Sequence, residues 1–519
     1  MQTRKKTLNF KFIVAGLFTI TALVGCGPTS NPTSNPTVDP TVDPTTVPTV
    51  DPTVDPTTEP SQPTTVDPTV DPTVEPEKTI VNFDVYTLND FHGATKYVNN
   101  YYPEVGLAKM STIFHNFAED NTSFFLSSGD MWQETIESNS NYGEYVTVAM
   151  NHIGLDAMTI GNHEFDWGDK YIFKNAELAD YPFLAANIYE RETGYLMEGV
   201  EKSTLIERDG VKVGVIGTIG PAQYSSISYQ YVAKYEFESE YNHVVNEAAY
   251  LREQGADVII LSAHDGYNSS DFGTLKKELI NEASIDMVIA GHTHQKQEEV
   301  YTRRDGKQVP LIQGYSSGTA FGHVNFTFNK ETDELTLNSY KVENFKDYID
   351  AEPDQYIVDL YNNNYNVDDL KVEHIVETKD EFSTSKLGIL ASTAIYEKIS
   401  SMEEYDDYNI LTVYHNYGRN ALPKGNINYE QLFASYPFDN EIILMQVNQN
   451  YVNRGYNFVH SGFDKSISFS GKRWVAAIDY LAYKTCSLED GVRTGLYVRD
   501  IVKEYLQNKK VVSSSDYFN

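Results

Sequence analysis

The chain has 519 residues and a formal net charge of −34, because 74 Asp and Glu outnumber 40 Lys and Arg. This acidic balance argues against nucleic acid polymers and anionic membrane surfaces as partners, since both are bound by basic faces. The length is sufficient for a sizeable hydrophobic core, so the fold does not need a disulfide framework, which 2 Cys could not supply.

Residues 1–26 have the pattern of an export signal. The basic residues 4–6 precede an apolar stretch, residues 12–24, which is too short to span a bilayer comfortably. The stretch ends in LVGC, which resembles the lipobox of bacterial lipoproteins, and the resemblance implies that Cys26 becomes the lipidated N-terminus. A plain secretory signal with a chance cysteine is the alternative. If Cys26 carries lipid, Cys486 has no disulfide partner.

Residues 27–78 form a low-complexity tract of Pro, Thr, Val and Asp in which the unit PTVD recurs. The tract has no aromatic residue and no apolar period, so it cannot bury enough surface to fold. Regular prolines favour extended polyproline II, which rises about 3.1 Å per residue. We expect a disordered stalk that lifts the rest of the chain from the membrane, a passive tether being the alternative.

After residue 78, apolar runs of strand length alternate with segments of helical spacing, which is typical of an α/β fold. The predicted strands are residues 80–87, 124–126, 211–219, 258–261 and 287–290. The predicted helices are residues 105–117, 145–153 and 275–280. We expect this first domain to cover residues 79–342.

A polar segment, residues 343–371, has the composition of a helical or irregular connector. A second globular segment follows over residues 372–519, and residues 387–395 are its first predicted helix. The sequence therefore predicts two ordered domains, of which the larger carries the metal chemistry described next.

Five short motifs concentrate the residues that can bind metal ions or transfer protons. They are Asp90-Phe91-His92, Gly129-Asp130, Gly161-Asn162-His163-Glu164-Phe165-Asp166, His264 and Gly291-His292-Thr293-His294. Four of the five follow a predicted strand almost at once, and the carboxyl ends of parallel strands meet at one edge of a sheet. A mixed set of carboxylate, amide and imidazole ligands suits two divalent ions that share a bridging carboxylate.

The spacing within the motifs suggests a division of roles. Asp90 and His92 are two residues apart, so on an extended strand end they would point to the same side, as would His292 and His294. Asp130 can bridge two ions with its two carboxylate oxygens. The sequence therefore predicts a metal-dependent phosphoesterase.

Two residues beside these ligands suit proton transfer. Asn162 offers a neutral amide oxygen to a cation, which leaves His163 next to it available to stabilise charge or protonate a leaving alkoxide. Asp166 is three residues further on and can orient that imidazole. A purely structural His–Asp pair is the alternative.

Residues 81–325 resemble the calcineurin-like metallophosphoesterase superfamily, and the wording LNDFHG, SSGDMWQET, GNHEFDWG and GHTHQ resembles its bacterial 5′-nucleotidase and UDP-sugar hydrolase family. The resemblance implies a four-layer αββα domain followed by a smaller α/β domain that binds the nucleoside and swings to deliver it. It also implies two metal ions. One would be held by Asp90, His92, Asp130 and His294, the other by Asp130, Asn162, His264 and His292. His163 and Asp166 would form the catalytic dyad.

The second domain resembles that family less closely. In RNALPKG and YPFDN, the resemblance implies that Arg419 binds the ligand and that Phe438 stacks on a base, although Phe438 can equally be a core residue. The family's Asn-Gly-Gly-Gly is replaced here by residues 414–417, Tyr414 to Tyr417. An expected Arg is Glu381, and the Gly-rich loop is replaced by residues 483–486. These departures put the substrate in doubt more than the reaction.

The leading hypothesis is a monomeric phosphoesterase, exported and lipid-anchored on the extracellular face of the membrane. It would use two divalent ions such as Mn²⁺, Zn²⁺ or Co²⁺ to hydrolyse nucleotides to nucleoside and phosphate. The first alternative keeps this chemistry and acts on 2′,3′-cyclic nucleotides, UDP-sugars or other phosphoesters. The second is a non-catalytic surface binding or adhesion protein.

Overall fold

The computed structural model describes residues 79–98, 103–266, 274–408, 411–414, 418–448, 450, 457–459, 470–484 and 488–517. The predictions for Cys26, for the tract 27–78 and for Cys486 lie outside these residues. Within them, every helix is too short or too polar to cross a membrane.

The described strands are numbered in chain order. They are β1 (Ile80–Leu88), β2 (Thr122–Ser127), β3 (Ala157–Thr159), β4 (Phe183–Leu184), β5 (Ile188–Glu190), β6 (Ser203–Arg208), β7 (Val211–Ile219), β8 (Tyr235–Phe237), β9 (Val258–His264), β10 (Met287–Ala290), β11 (Lys296–Thr302), β12 (Gln308–Gly314), β13 (Ala320–Asn329), β14 (Glu334–Asn344), β15 (His374–Thr378), β16 (Leu411–Tyr414), β17 (Gly425–Asn428), β18 (Glu441–Val447), β19 (Asn457–Val459), β20 (Arg473–Ile478), β21 (Val492–Tyr497) and β22 (Val511–Val512).

The helices lie between these strands. The described α-helices are Gly106–Asp120, Ile136–Asn139, Glu144–Ile153, Asp169–Leu178, Tyr229–Val232, Glu240–Glu253, Thr274–Glu282, Gln355–Leu360, Asp368–Lys371, Thr384–Ser400, Tyr429–Ser435, Asp479–Ala482 and Val498–Lys509. Short 3₁₀ turns are His163–Phe165, Pro221–Ser226, Phe345–Tyr348, Glu403–Tyr408 and Ser514–Asp516, and Tyr361–Tyr365 is a π turn.

Two six-stranded sheets form the centre of the first domain. Their strand orders are β14-β13-β1-β2-β3-β4 and β11-β12-β10-β9-β7-β6. In the first sheet β1, β2, β3 and β4 run parallel. In the second, β7, β9, β10 and β12 run parallel. Strands buried on both faces need nearly continuous apolar sequence, and all seven residues of β9 are buried.

The hydrophobic core of this domain is layered. Between the two sheets, side chains of β1 and β2 such as Phe83 and Phe124 pack against those of β9 and β10, such as Ile260 and Ile289. Helices cover the outer face of each sheet; one of them, Gly106–Asp120, buries apolar residues at helical spacing. The four-layer αββα prediction is therefore confirmed.

The second domain is also α/β. Its five-stranded sheet has the order β19-β16-β20-β18-β21, and a three-stranded sheet has the order β17-β15-β22. One apolar core joins the helices Thr384–Ser400 and Val498–Lys509 to these strands. The helix predicted over residues 387–395 is thus confirmed, and it extends beyond the predicted bounds, from Thr384 to Ser400.

The segment between the domains is attached to the first one by polar contacts. The Lys371 ammonium donates to Oε1 of Glu137 at 2.9 Å, in a buried ion pair. Further back, the Tyr365 hydroxyl donates to Oε1 of Glu144 at 2.9 Å. The segment contains four short helical elements, and β14 extends to Asn344 before the first of them begins.

Candidate metal centre

All five motif segments lie at the carboxyl ends of strands. Asp90 and His92 follow β1, Asp130 follows β2, and Asn162 follows β3. In the second sheet, His264 is the last residue of β9, and His292 and His294 follow β10. Since the two sheets pack face to face, these ends meet at one edge, as the parallel arrangement predicts.

The backbone at this edge is left-handed rather than extended. The five residues concerned have positive φ: Asp90 (47°), His92 (52°), Asp130 (55°), His292 (72°) and His294 (56°). The expectation that Asp90 and His92, or His292 and His294, converge on extended strand ends is therefore wrong. Tight turns aim them instead, and positive φ at non-glycine residues is the kind of strain that functional sites retain.

Two glycines allow the β2 and β3 turns to approach each other. Gly129 has φ +94°, and a Cβ there would lie 2.6 Å from the nitrogen of Gly161. A Cβ on Gly161 would lie 2.3 Å from Oδ1 of Asp130. A larger residue at Gly129 would collide with the Gly161 backbone, and one at Gly161 would displace the Asp130 carboxylate.

Glu164 connects the same two turns. Its buried carboxylate accepts hydrogen bonds from the backbone N–H groups of Asp130 (2.9 Å), Met131 (2.8 Å) and Gly161 (2.7 Å). No role was predicted for this residue, although it stands inside the third motif. It positions the backbone that carries Asp130 and Asn162.

The first ligand group consists of Asp90, His92, Asp130 and His294, each of which offers one ligand atom within 4.8 Å of the others. Nε2 of His92 and Nε2 of His294 are 2.9 Å apart. Nδ1 of His92 donates to the carbonyl oxygen of Gln133 at 3.0 Å, so the lone pair of the neutral ring is on Nε2, toward the group. This is the tautomer that a metal ligand requires.

The second group consists of Asp130, His264 and His292. His264 donates from Nδ1 to the carbonyl oxygen of Ser128 at 2.7 Å, which directs Nε2 toward Asp130 Oδ2 at 3.2 Å. The amide oxygen of Asn162 lies 3.1 Å from Nε2 of His264 and 2.9 Å from Nδ1 of His292. The structure therefore brings together all seven residues predicted as ligands, with Asp130 common to both groups.

The surroundings of Asp130 suit a bound cation. Its Oδ1 accepts from the His163 N–H at 2.8 Å, whereas its buried Oδ2 accepts no well-oriented hydrogen bond in the described part of the chain. Burial opposes ionisation, but the charges of His264 and His163 outweigh it and hold the pKa of Asp130 well below its usual range. A buried carboxylate with an unsatisfied oxygen between two imidazole groups fits a bridging metal ligand.

The outer imidazoles favour the neutral form. Burial, with the neighbouring His264 charge, lowers the pKa of His292 to about 4. Burial and His92 lower the pKa of His294 to about 4 as well. Neutral imidazole is the form that binds metal ions, so these two rings need lose no proton on binding.

His163 and Asp166 form a pair beside the ligand groups. Nδ1 of His163 lies 2.8 Å from Oδ2 of Asp166. Burial lowers the pKa of His163, but the charges of Asp166 and Asp130 have the larger, opposite effect, and together they raise the pKa to about 10. The hydrogen bond to Asp166 occupies Nδ1 and leaves Nε2 as the remaining donor, as the predicted role needs.

A cavity of about 280 Å³ joins this edge to the second domain. It is lined by Asn162, His163 and Asp166 on one side and by Arg419 and Phe438 on the other. The Phe438 ring stacks on the His163 ring, with centroids 5.8 Å apart and planes at 25°. The two residues predicted to bind substrate therefore face the predicted dyad, and Phe438 is not confined to the core.

Glu134 is a residue of the site that the sequence analysis missed. Its φ is 150°, a backbone conformation that favours glycine, at a cost of about 1–3 kcal/mol. Its carboxylate accepts from Arg419 Nε at 2.7 Å and NH2 at 3.2 Å, and lies 3.8 Å from Nδ1 of His92. Glu134 thus links the guanidinium of the second domain to the metal-ligand edge.

Two acidic residues of the second domain also line the cavity. Asp439 accepts from Nε1 of Trp167 at 3.1 Å. Asp479 accepts from Gln230 at 2.7 Å and from Asn440 at 3.0 Å, and burial raises its pKa to about 7. Neither was predicted, although Asp439 stands next to Phe438 in the YPFDN motif.

The departures from the family pattern have different outcomes. Glu381 is exposed and does not line the cavity. Residues 415–417 and 485–487 lie outside the described part of the chain, so the predicted changes there stay predictions. Of the replaced Gly-rich loop, Lys484 is placed over the Tyr480 ring, 3.8 Å from its centroid.

Comparison with known proteins agrees with this geometry. Residues 83–296 match the family model of the calcineurin-like phosphoesterases. The matched segment contains all seven candidate ligands as well as His163 and Asp166. Calcineurin-like phosphoesterases use a dinuclear metal site, and the two ligand groups supply candidates for both ions.

Several proteins of similar sequence are 5′-nucleotidases. A 5′-nucleotidase of Vibrio cholerae is 28% identical over 284 residues, which are 49% of this chain and 50% of that protein. The snake venom 5′-nucleotidase of Crotalus adamanteus is 26% identical over 66% of this chain and 63% of its own length. The chain thus spans about half the length of the curated relatives it matches.

The fold extends over both domains of a solved structure. The 5′-nucleotidase precursor of Thermus thermophilus superposes with a TM-score of 0.67 over 83% of this chain and 97% of that one, at 19% identity. This likeness shows the fold, including the α/β domain that follows the αββα domain.

Proposed function

We propose that this chain, a calcineurin-like phosphoesterase over residues 83–296, is a metal-dependent hydrolase that releases phosphate from nucleotides. One observation carries the proposal: the Asp130 carboxylate is shared by two ligand groups, and its buried Oδ2 accepts no well-oriented hydrogen bond in the described residues. The 5′-nucleotidases among its relatives support the substrate class.

In this proposal the two ligand groups hold one divalent ion each. Asp90, His92 and His294 complete one set, and Asn162, His264 and His292 the other, with Asp130 common to both. Two such ions supply a hydroxide nucleophile near neutral pH and polarise the phosphoryl oxygens. Carboxylate, amide and imidazole donors suit Mn²⁺, Zn²⁺ or Co²⁺.

His163 acts on the side of the leaving group. Its Nδ1 is engaged by Asp166, which leaves Nε2 to donate to the substrate. A donor at this place stabilises the charge that develops on the phosphoryl oxygens or protonates the departing alkoxide. Asp166 serves as a positioning residue, because it fixes both the orientation and the charge of the ring.

The second domain supplies the rest of the substrate site. Arg419 can bind an anionic oxygen through two N–H groups, and Phe438 offers an apolar ring to a planar base. Asp439 and Asp479, on the same cavity, are acceptors suited to hydroxyl or amino groups. A phosphate, a ring and several hydroxyl groups together describe a nucleotide.

The test is phosphate release from a panel of substrates by the metal-stripped chain, with and without added Mn²⁺, Zn²⁺ or Co²⁺. The panel contains AMP, ATP, UDP-glucose, 2′,3′-cyclic AMP and p-nitrophenyl phosphate, with a coupled phosphatase to reveal products that remain monoesters. Metal-dependent release from AMP is expected. Activity only on the diesters or on the aryl phosphate contradicts the nucleotide assignment and leaves the phosphoesterase chemistry in place.

We also propose that the chain is exported and anchored through lipid on Cys26, with residues 27–78 as a spacer that leaves the hydrolase outside the membrane. The expected result is incorporation of labelled fatty acid into the wild-type chain and none into Cys26→Ser. A labelled Cys26→Ser variant, or release of the wild-type chain by a salt wash, contradicts lipid anchoring.

A further inference from the structure

A second group of metal-binding side chains lies outside the five motifs. It consists of His115, His152 and Asp354, which are far apart in the sequence. His115 is on the helix Gly106–Asp120 and His152 is in the last turn of the helix Glu144–Ile153. Asp354 immediately precedes the helix Gln355–Leu360, in the segment between the two domains.

The three side chains are directed toward one another. Each offers one ligand atom, and these atoms lie within 4.8 Å of one another. Nε2 of His152 is hydrogen-bonded to Oδ2 of Asp354 at 2.8 Å, in the place that an ion would take, and Nδ1 of His115 is 3.8 Å from the same oxygen. The rings of the two histidines meet edge to face, with centroids 5.0 Å apart.

The hydrogen bond of His115 decides which of its nitrogens faces the group. Nε2 of His115 donates to the carbonyl oxygen of His152 at 2.8 Å, so the neutral ring has its lone pair on Nδ1. That lone pair lies 3.8 Å from Oδ2 of Asp354, and a cation between the two atoms would be bound by both. A histidine that donates one ring N–H to a backbone carbonyl keeps its other nitrogen available to a metal ion.

The carboxylate is held in place independently of any ion. Oδ1 of Asp354 accepts from the N–H of Tyr356 at 2.9 Å and so caps the following helix. Oδ2 accepts from the Ser111 hydroxyl at 2.5 Å. Because both oxygens are oriented by these contacts, the ligand is preorganised and binding does not have to order it.

From these contacts we propose that His115, His152 and Asp354 bind one transition-metal dication such as Zn²⁺, separate from the two ions of the metal centre. Two imidazole nitrogens and one carboxylate oxygen are a donor set that Zn²⁺ accepts at roughly 2.0–2.2 Å. The side chains of His115 and His152 are 39% and 29% exposed, so an ion can enter and water can complete its coordination.

The ion would fasten the connecting segment to the first domain. That segment already contacts the helix Gly106–Asp120: the Asp354 N–H donates to the carbonyl oxygen of Ala108 at 2.8 Å, and Thr112 donates to that of Glu352 at 2.7 Å. With one ligand on each of the two helices and one on the connecting segment, the ion would hold the segment against both helices. The site is therefore structural and fixes where the chain leaves the first domain.

The test is the metal content of the full chain after stripping and reloading with Zn²⁺, measured by mass spectrometry per mole of protein. Asp354→Asn keeps the helix cap and removes the charge, and His115→Gln keeps an N–H donor for the His152 carbonyl and removes the ring. His243→Gln is the matched control, since His243 contacts a single carboxylate, that of Glu238, at 2.9 Å. Circular dichroism confirms that each variant is folded.

We expect both site variants to hold one Zn²⁺ fewer per chain than wild type, and the control to hold the same number. We also expect reloading with Zn²⁺ to raise the midpoint of thermal unfolding less in Asp354→Asn than in the control. An equal count in the wild type and both folded variants overturns the proposal, because a proton then serves as the cation. This count does not depend on hydrolysis, so failure of the nucleotidase proposal leaves it interpretable.

Discussion

The two walls of the cavity are built in different ways. On the metal side, Asp90, Asp130 and His264 are almost completely buried, and carbonyl oxygens, backbone N–H groups and Glu164 hold the ligand groups in place. On the facing side, Arg419 and Phe438 are partly exposed, and Arg419 donates to the Glu134 carboxylate. A rigid wall suits chemistry that cannot tolerate displacement, whereas the looser wall can change with the substrate.

Removing the shared ligand should have the largest effect. Asp130→Ala should lower hydrolysis of AMP by more than about 10³-fold, because both ions lose a ligand and the bridged pair cannot form. Metal content measured beside the rate should fall by up to two ions per chain. Asp305→Ala, an exposed carboxylate paired with Arg303, is the control. Full activity in a metal-loaded Asp130→Ala protein contradicts the bridging role.

Removal of the His163 side chain should have the second largest effect on activity. His163→Ala should lower kcat by about 10²–10⁴-fold and leave metal content unchanged, because the ring is adjacent to a ligand but is not one. His163→Asn should lose as much, since an amide keeps a donor but carries no charge. Loss of both metal ions from the variant would show that the ring is structural or a ligand instead.

Substitution of Arg419 or Phe438, on the second-domain side of the cavity, should change KM rather than kcat. Arg419→Ala should raise KM for AMP by about tenfold, because a charge-assisted hydrogen bond to the substrate is lost. Arg419→Lys should recover part of this, since it keeps the charge and not the fork of donors. An unchanged KM in both variants contradicts substrate binding by Arg419.

Base stacking should be a smaller contribution. Phe438→Ala should raise KM for AMP by about 2–10-fold and leave KM for p-nitrophenyl phosphate nearly unchanged. The structural control is Phe438→Tyr, which keeps the ring. Equal losses on both substrates would mean that the ring supports the fold, by packing on His163, rather than recognising a base.

The smallest effect should come from releasing Arg419. Glu134→Gly removes the carboxylate and relieves a strained backbone, whereas Glu134→Gln removes only the charge. Both should lower KM for AMP by about 1.5–5-fold, because the Glu134 carboxylate no longer competes with the substrate for Arg419. Only Glu134→Gly should raise the midpoint of thermal unfolding. A higher KM in both variants would show that Glu134 assists binding.

The metal wall was largely predictable because its chemistry is concentrated in short motifs that follow apolar runs. His264 ends β9, and Asp130 lies three residues after β2. What could not be predicted was the backbone: nothing in the residue types of Asp90 or His92 indicates positive φ. The role of Glu164 was also hidden, because two of its three partners are backbone N–H groups more than thirty residues away.

The fold was predictable where apolar periodicity was strong. The strand Met287–Ala290 was predicted with its observed bounds, whereas β3 has three residues and is too short to show a period. Strands β11 and β14 were missed because their outer faces are polar; in β14 exposed and partly buried residues alternate. The contacts across the cavity were the hardest to predict, since Glu134, Asp439 and Asp479 acquire a role only when the two domains meet.

The most direct test is the initial rate of phosphate release from AMP by the metal-stripped chain, before and after addition of Mn²⁺. The account predicts no release by the stripped chain and rapid release after reloading, with p-nitrophenyl phosphate hydrolysed in parallel. Silence on both substrates, in a folded chain that has bound two ions at the metal centre, would contradict the claim that this centre hydrolyses phosphoesters.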